Sequence, residues 1–183
     1  MVLQLNHLDF RFENSLVKAV ANRNYPETKL AGLTIGPFQE GNEYDIHFWV
    51  AEKLAEAGVV HFREDARFGA PEIYKVQWKE RVQIAGQISE LPEDFYPKLR
   101  RYLRNSKQEA TQLEKMQEHE KSKQLACDIV NSRLRKIVAL SSGPAQTDQI
   151  TKKMANEEHR LFEQLTRLIT DWRNRILQCE EGT

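Results

Sequence analysis

The sequence predicts an α+β protein: a small N-terminal mixed β domain over residues 1–62, a connector over 63–90, and a larger all-α helical domain over 91–183. Two observations carry that expectation. Six of the eight glycines precede residue 87, and residues 87–142 contain none while being rich in Leu, Glu, Lys, Arg and Gln, which is helical composition. Before residue 63 the apolar residues instead come in short runs punctuated by turn residues, the pattern of short strands.

In the N-terminal part, residues 5–12 fit a strand or a short helix equally well. Residues 29–35 (KLAGLTI) read as one strand, closed by Gly36-Pro37, and Gly41-Asn42 makes a second turn. Residues 46–57 read as a helix with Asp45 as its N-cap, because Phe48, Trp49, Ala51, Leu54 and Ala55 recur at helical spacing. Gly58 suits the C-terminal cap, and residues 59–62 (VVHF) read as a strand. Within the connector, Tyr74, Val76 and Trp78 alternate as in a strand, whereas Ile73, Val76, Glu80 and Ile84 are spaced as in a helix. Both readings stay open.

The helical part starts legibly. With Asp94 as N-cap, Pro97 falls at the third helical position, where its missing N–H costs no internal bond. Tyr96, Leu99 and Leu103 then form a stripe, with a bend expected at Asn105-Ser106. Residues 117–124 (QEHEKSKQ) carry no apolar side chain, so the helix there is either solvent-bridging or broken. Apolar spacing resumes at Cys127, Val130, Leu134 and Ile137, with Val138 and Leu140 beside it, until Ser141-Ser142-Gly143-Pro144 stops it. A last helix is expected from about residue 156 to 178, where Leu161, Leu165, Leu168, Trp172 and Ile176 step by four, three, four and four.

No constellation of residues points to catalysis. The chain has no GxSxG, no phosphate-cradling glycine loop and no HExxH, and none of its five histidines has a second His or Cys at metal-ligand spacing. No cofactor is expected. Cys127 and Cys179 are too few for a disulfide framework and read as reduced thiols. Residues 1–14 lack the apolar core of a secretory signal, and no run is long enough to span a membrane. Lys plus Arg and Asp plus Glu each number 27, which argues against a strongly basic nucleic-acid wrapper. One basic cluster stands out: Lys98, Arg100, Arg101, Arg104 and Lys107, of which Arg100, Arg104 and Lys107 share a helix face.

Four stretches together resemble a known family. Residues 91–103 (LPEDFYPKLRRYL) resemble the opening of the helical domain of GINS subunits, the assembly factors of the replicative helicase. Residues 133–138 (RLRKIV) resemble the family's second-helix signature, and residues 154–162 (MANEEHRLF) its third element. Where the family often has Met-Thr before a paired acid, this chain has Ala155-Asn156, and Asn156 is expected to supply the lost cap one position later. Residues 33–60 resemble the small GINS β-domain, with Gly36-Pro37-Phe38, an acidic turn, and then Trp49, Ala51 and Leu54; Ile46-His47 stands where the family often has Leu-Pro. The resemblance covers most of residues 30–175. The domain order is similar to the archaeal class related to eukaryotic Psf-two and Psf-three, whereas LPEDFY looks more like the other class.

The resemblance implies a non-catalytic structural subunit of the GINS complex in DNA replication. The implied partners are another GINS subunit in a 2:2 heterotetramer, the MCM helicase and a RecJ-like, Cdc-forty-five-related protein, with primase or DNA polymerase as further contacts and no membrane. The implied location is the archaeal cytoplasm at the nucleoid, or the nucleus in a eukaryote. On this reading Phe95, Tyr96, Leu99, Leu103, Leu161, Leu165, Leu168 and Trp172 belong to the core and subunit interface, and Phe38, Trp49 and Phe62 dock a partner. The alternative reading is a nucleic-acid-binding helical module in which Arg100, Arg101, Arg104 and Lys107 contact the phosphate backbone or an acidic partner.

Overall fold

In the computed structural model, which describes residues 5–30, 32–63, 68–82, 87–143 and 148–177, β1 (Leu16–Ala21) lies between β4 (Glu43–His47) and β5 (Val60–Phe62) in an antiparallel sheet. The registers Val17↔Ile46 and Ala19↔Phe62 turn Ala19 and Ala21 onto a core shared with Phe38, Ile46, Val50, Ala51, Val59 and Val60. The strand β1 was not signalled by any turn pattern, since its alternation is carried by alanines. Helix α1 (Leu5–Glu13) settles the first ambiguity: Leu8 and Phe12, one turn apart, are buried, and the Phe12 ring sits 4.6 Å from that of Phe48.

Two sequence expectations change here. Residues 29–35 form a hairpin, β2 (Thr28–Leu30) against β3 (Leu33–Ile35), because Gly32 takes φ +83° and reverses the chain. Helix α2 (Phe48–Glu56) starts two residues later than expected, and its cap is His47 with no side-chain cap bond; Asp45 and Ile46 belong to β4, whose pairing with β1 outweighs the helical spacing. The expected end holds. Gly58 at φ +69° donates to Ala55 O and Val59 to Leu54 O, the paired bonds of a Schellman cap.

The chain divides into two units, one within residues 6–67 and one within 68–183. The second contains α3 (Ala70–Val82), α4 (Phe95–Glu109), α5 (Leu113–Ser142), the short α6 (Asp148–Thr151) and α7 (Asn156–Leu177). The fold is α+β with the larger part helical. The stretch expected as a connector thus holds a helix of this bundle, with Ile73 and Val76 buried against Phe95, Leu99, Ala126 and Ile129; Ile84 lies outside the described residues. A second cluster joins Ile88, Ile137, Leu140 and Met154 with Leu161, Phe162 and Leu165. Helix α4 runs through Asn105-Ser106 without interruption, and α5 runs unbroken through the polar stretch. There polar contacts replace apolar ones: Tyr102 Oη lies 3.2 Å from the buried Ser122 Oγ, and Ser106 Oγ lies 2.7 Å from His119 Nδ1. Asp94 occupies the cap position of α4 in a left-handed conformation (φ 52°), and its side chain makes no cap bond. Among the described residues no helix is long and apolar enough to cross a membrane.

Candidate assembly site of the helical bundle

The centre of the bundle is polar. Arg133 is 0 % exposed, on the face of α5 that also buries Ala126, Ile129 and Ile137. Its guanidinium is held from two sides. From α7, Glu158 accepts Nε on one oxygen and Nη2 on the other, the latter at 2.7 Å. From α3, Glu80 accepts Nη1 at 2.6 Å, and the same Nη1 reaches Ser89 O at 2.9 Å. Lys136, one turn on from Arg133, donates to the other oxygen of Glu80 at 2.5 Å. Ser89 Oγ donates to Glu80 at 2.5 Å, Tyr96 Oη to Glu158 at 2.5 Å, and the Ala155 amide to Glu158 at 3.0 Å. The last bond is half of a capping box, so Glu158 closes the first turn of α7 in place of the expected Asn156.

This cluster is balanced, with two cations against two carboxylates, and every oxygen of Glu80 and Glu158 has a donor. Burial alone would raise the Glu80 pKa, but the hydrogen bonds from Lys136 and Ser89 and the charges of Arg133 and Lys136 outweigh it and hold the group below its ordinary value. Burial lowers and Glu158 raises the affinity of Arg133 for its proton, and the net direction is up. Burial, reinforced by the charge of Glu158, keeps the Tyr96 phenol protonated. With its lone pairs and protons committed, the arrangement binds α3, α4, α5 and α7 together and offers no free base. Among the described residues no group of three or more His, Cys, Asp or Glu side chains could hold a metal ion.

The surface beside this lock is apolar. Cys127, Val130 and Leu134 sit one residue past the buried Ala126, Ile129 and Arg133, so they line the flank of α5 rather than its core. Of the apolar residues whose spacing resumes at Cys127, only Ile137 and Leu140 are buried; Cys127, Val130, Leu134 and Val138 are exposed. Together with Leu103 of α4 and Leu161 of α7, Cys127, Val130 and Leu134 line a groove of about 480 Å³. Leu161 opens the stripe of α7, which leaves the groove through the half-buried Leu165 and continues along the exposed Leu168, Trp172 and Ile176.

The expected interface residues therefore separate. Phe95 and Leu99 are buried in the chain's own core, and Leu99 also lines the floor of the groove. Tyr96 is tied to Glu158, Leu103 and Leu161 line the groove, Leu165 is half-buried, and Leu168 and Trp172 are open to solvent. In the small unit Phe38 is a core residue, edge-on to Tyr44 at 4.9 Å and bridged through its backbone to Tyr25, so it is not a docking side chain. Trp49 and Phe62 are half-buried against that core, with Phe62 stacked on Phe48. The basic cluster also divides. Arg100 lies 3.4 Å from Glu157 at the groove and Arg101 is half-buried, while Arg104 and Lys107 are exposed.

Glu80, Arg133 and Glu158 escaped assignment from sequence because they lie far apart in the chain. The usable signal was Glu80 at helical spacing with Ile73 and Val76, a charge on an otherwise apolar face.

Compared with protein-family models, residues 69–177 match the GINS complex protein helical bundle domain. The match spans the four long helices and the whole of the polar lock. No curated protein matches the chain.

Proposed function

The chain belongs to the GINS family, and from that premise we propose that it is a structural subunit that bridges the MCM helicase and a RecJ-like, Cdc-forty-five-related factor within a 2:2 assembly with a second GINS subunit. Membership makes it a DNA-replication protein of a non-catalytic family that works with other GINS subunits.

The observation that carries the assembly reading is the apolar surface left over once the bundle's core is complete. Its own core is closed by the Arg133 lock and two apolar clusters, yet Val130, Leu134, Val138, Leu168, Trp172 and Ile176 remain exposed. Large apolar side chains left exposed in such runs along two helices are candidates for a partner site. Leu103, Leu161, Leu165, Leu168 and Trp172 form the subunit interface on this reading, and Trp49 and Phe62 of the small unit face a replisome partner. Arg104 and Lys107, exposed further along α4, carry charge that favours an acidic partner surface on this reading.

Light scattering after size exclusion tests this, on the chain alone and co-expressed with a second GINS subunit. A mixed particle of tetramer mass supports the reading. A monomer in both samples overturns it and returns the basic cluster to the nucleic-acid alternative.

A further inference from the structure

We propose that the outward face of α3 is a second docking surface, separate from the groove, and that it takes a short acidic amphipathic helix of a partner protein. Helix α3 buries Ile73, Val76 and Glu80 on one side. On the opposite side Tyr74, Trp78 and Val82 step by four and are 53 %, 66 % and 63 % exposed. Aromatic side chains presented this way are costly to leave in water and are the usual anchors of protein interfaces.

Charge specifies the occupant. Lys75, Lys79 and Arg81 flank the stripe and are all exposed. The acids of the helix offset them only in part: Glu80 is inside the polar lock, and Glu72, which accepts the Gly69 amide, pairs at 3.8 Å with Lys75 alone. An apolar stripe edged with cations on a straight helix matches a second helix whose own stripe is edged with carboxylates. Val82 continues the stripe with an aliphatic side chain, which fits a protein partner better than stacked bases.

Size specifies a segment rather than a subunit. At 150–250 Å² per aromatic side chain the exposed stripe amounts to roughly 400 Å². A stable subunit interface takes about 800 Å² from each side. Position separates it from the groove, since α3 packs on the Ile129 side of α5 while the groove opens on the Cys127, Val130 and Leu134 side.

The test uses the full chain and two fluorescein-labelled peptides of about four helical turns, each with a Leu stripe, one flanked by Glu and one by Lys. Fluorescence anisotropy should show the Glu-flanked peptide binding at least ~10-fold more tightly than the Lys-flanked one. Trp78→Ala should weaken it by roughly 10-fold or more, as should Lys75→Glu with Lys79→Glu, while Trp172→Ala leaves it unchanged. Circular dichroism melting checks that these surface variants stay folded. Equal binding of the two peptides, no binding of the acidic one, indifference to Trp78→Ala, loss on Trp172→Ala instead, or preference for labelled oligothymidine would each overturn the proposal. The assembly reading is untouched by any of these outcomes, because it is read from mass.

Discussion

Two faces of α5 lie one residue apart and do opposite things. Ile129, Arg133 and Ile137 are buried; Val130, Leu134 and Val138, the next residue in each case, are exposed. The buried face carries the charge and the exposed face is apolar throughout. The difference teaches that in this bundle uniqueness comes from a saturated polar lock, whereas the apolar excess is available to a partner. Charged groups in a core are tolerated only when every donor and acceptor is used, and here that requirement fixes where α3, α4 and α7 must meet α5.

The most severe way to break the comparison is to remove the guanidinium. Arg133→Met should destabilise the helical unit by about 3–5 kcal/mol, because Glu80 and Glu158 keep their burial and lose their counter-charge; urea denaturation followed by circular dichroism measures it. A loss under about 1 kcal/mol would mean the lock is incidental. Next, Ile137→Ala should cost about 2–4 kcal/mol, as expected for a fully buried aliphatic side chain. Leu134→Ala, three residues back on the outer face, should cost the isolated chain well under half of that while weakening assembly. Equal costs in the isolated chain would erase the distinction between the faces.

Acid sharpens it further. The folded pKa of Glu80 lies below its ordinary value of 4.5. As pH falls the unfolded chain takes up that proton first, so the stability Glu80 contributes is whole above about 4.5 and is lost as pH drops through the folded value. The difference in urea midpoint between the parent chain and Glu80→Gln should therefore narrow on going from about pH 7 to about pH 3. A constant difference would contradict the ionised lock. The smallest effect lies in the small unit, where no buried ion pair of this kind occurs among the described residues. Gly58→Ala must hold φ +69° with a Cβ, at a cost of about 1 kcal/mol. Calorimetry should show that loss in the transition of the small unit alone.

Much of this fold was legible in the sequence, and the exceptions have physical causes. The α7 stripe, the start of α4 two residues before Pro97 and the Gly58 cap were readable because each follows from local stereochemistry. The strand at Asp45-Ile46 was not, because pairing with β1 overrode a helical spacing that begins in earnest only at Phe48. The polar stretch of α5 gave no sign that it continues, since what sustains it is Tyr102 and Ser106 on another helix. On α5 the apolar spacing marks the exposed flank as much as the core, because Arg133 sits on the buried face where an aliphatic side chain would be expected. Two of the stretches that carried the family resemblance, RLRKIV and MANEEHRLF, hold Arg133, Lys136 and Glu158, three members of the lock.

The central claim is that the outer flank of α5 and the end of α7 serve assembly rather than folding. The most direct measurement is the light-scattering mass of the complex with a second GINS subunit when this chain carries Leu134→Asp and Trp172→Ala, read beside the melting midpoint of the variant alone. The account predicts that the mass falls to that of separate chains while the midpoint stays within a few degrees of the parent. An undiminished tetramer mass, with the variant fully folded, would contradict it.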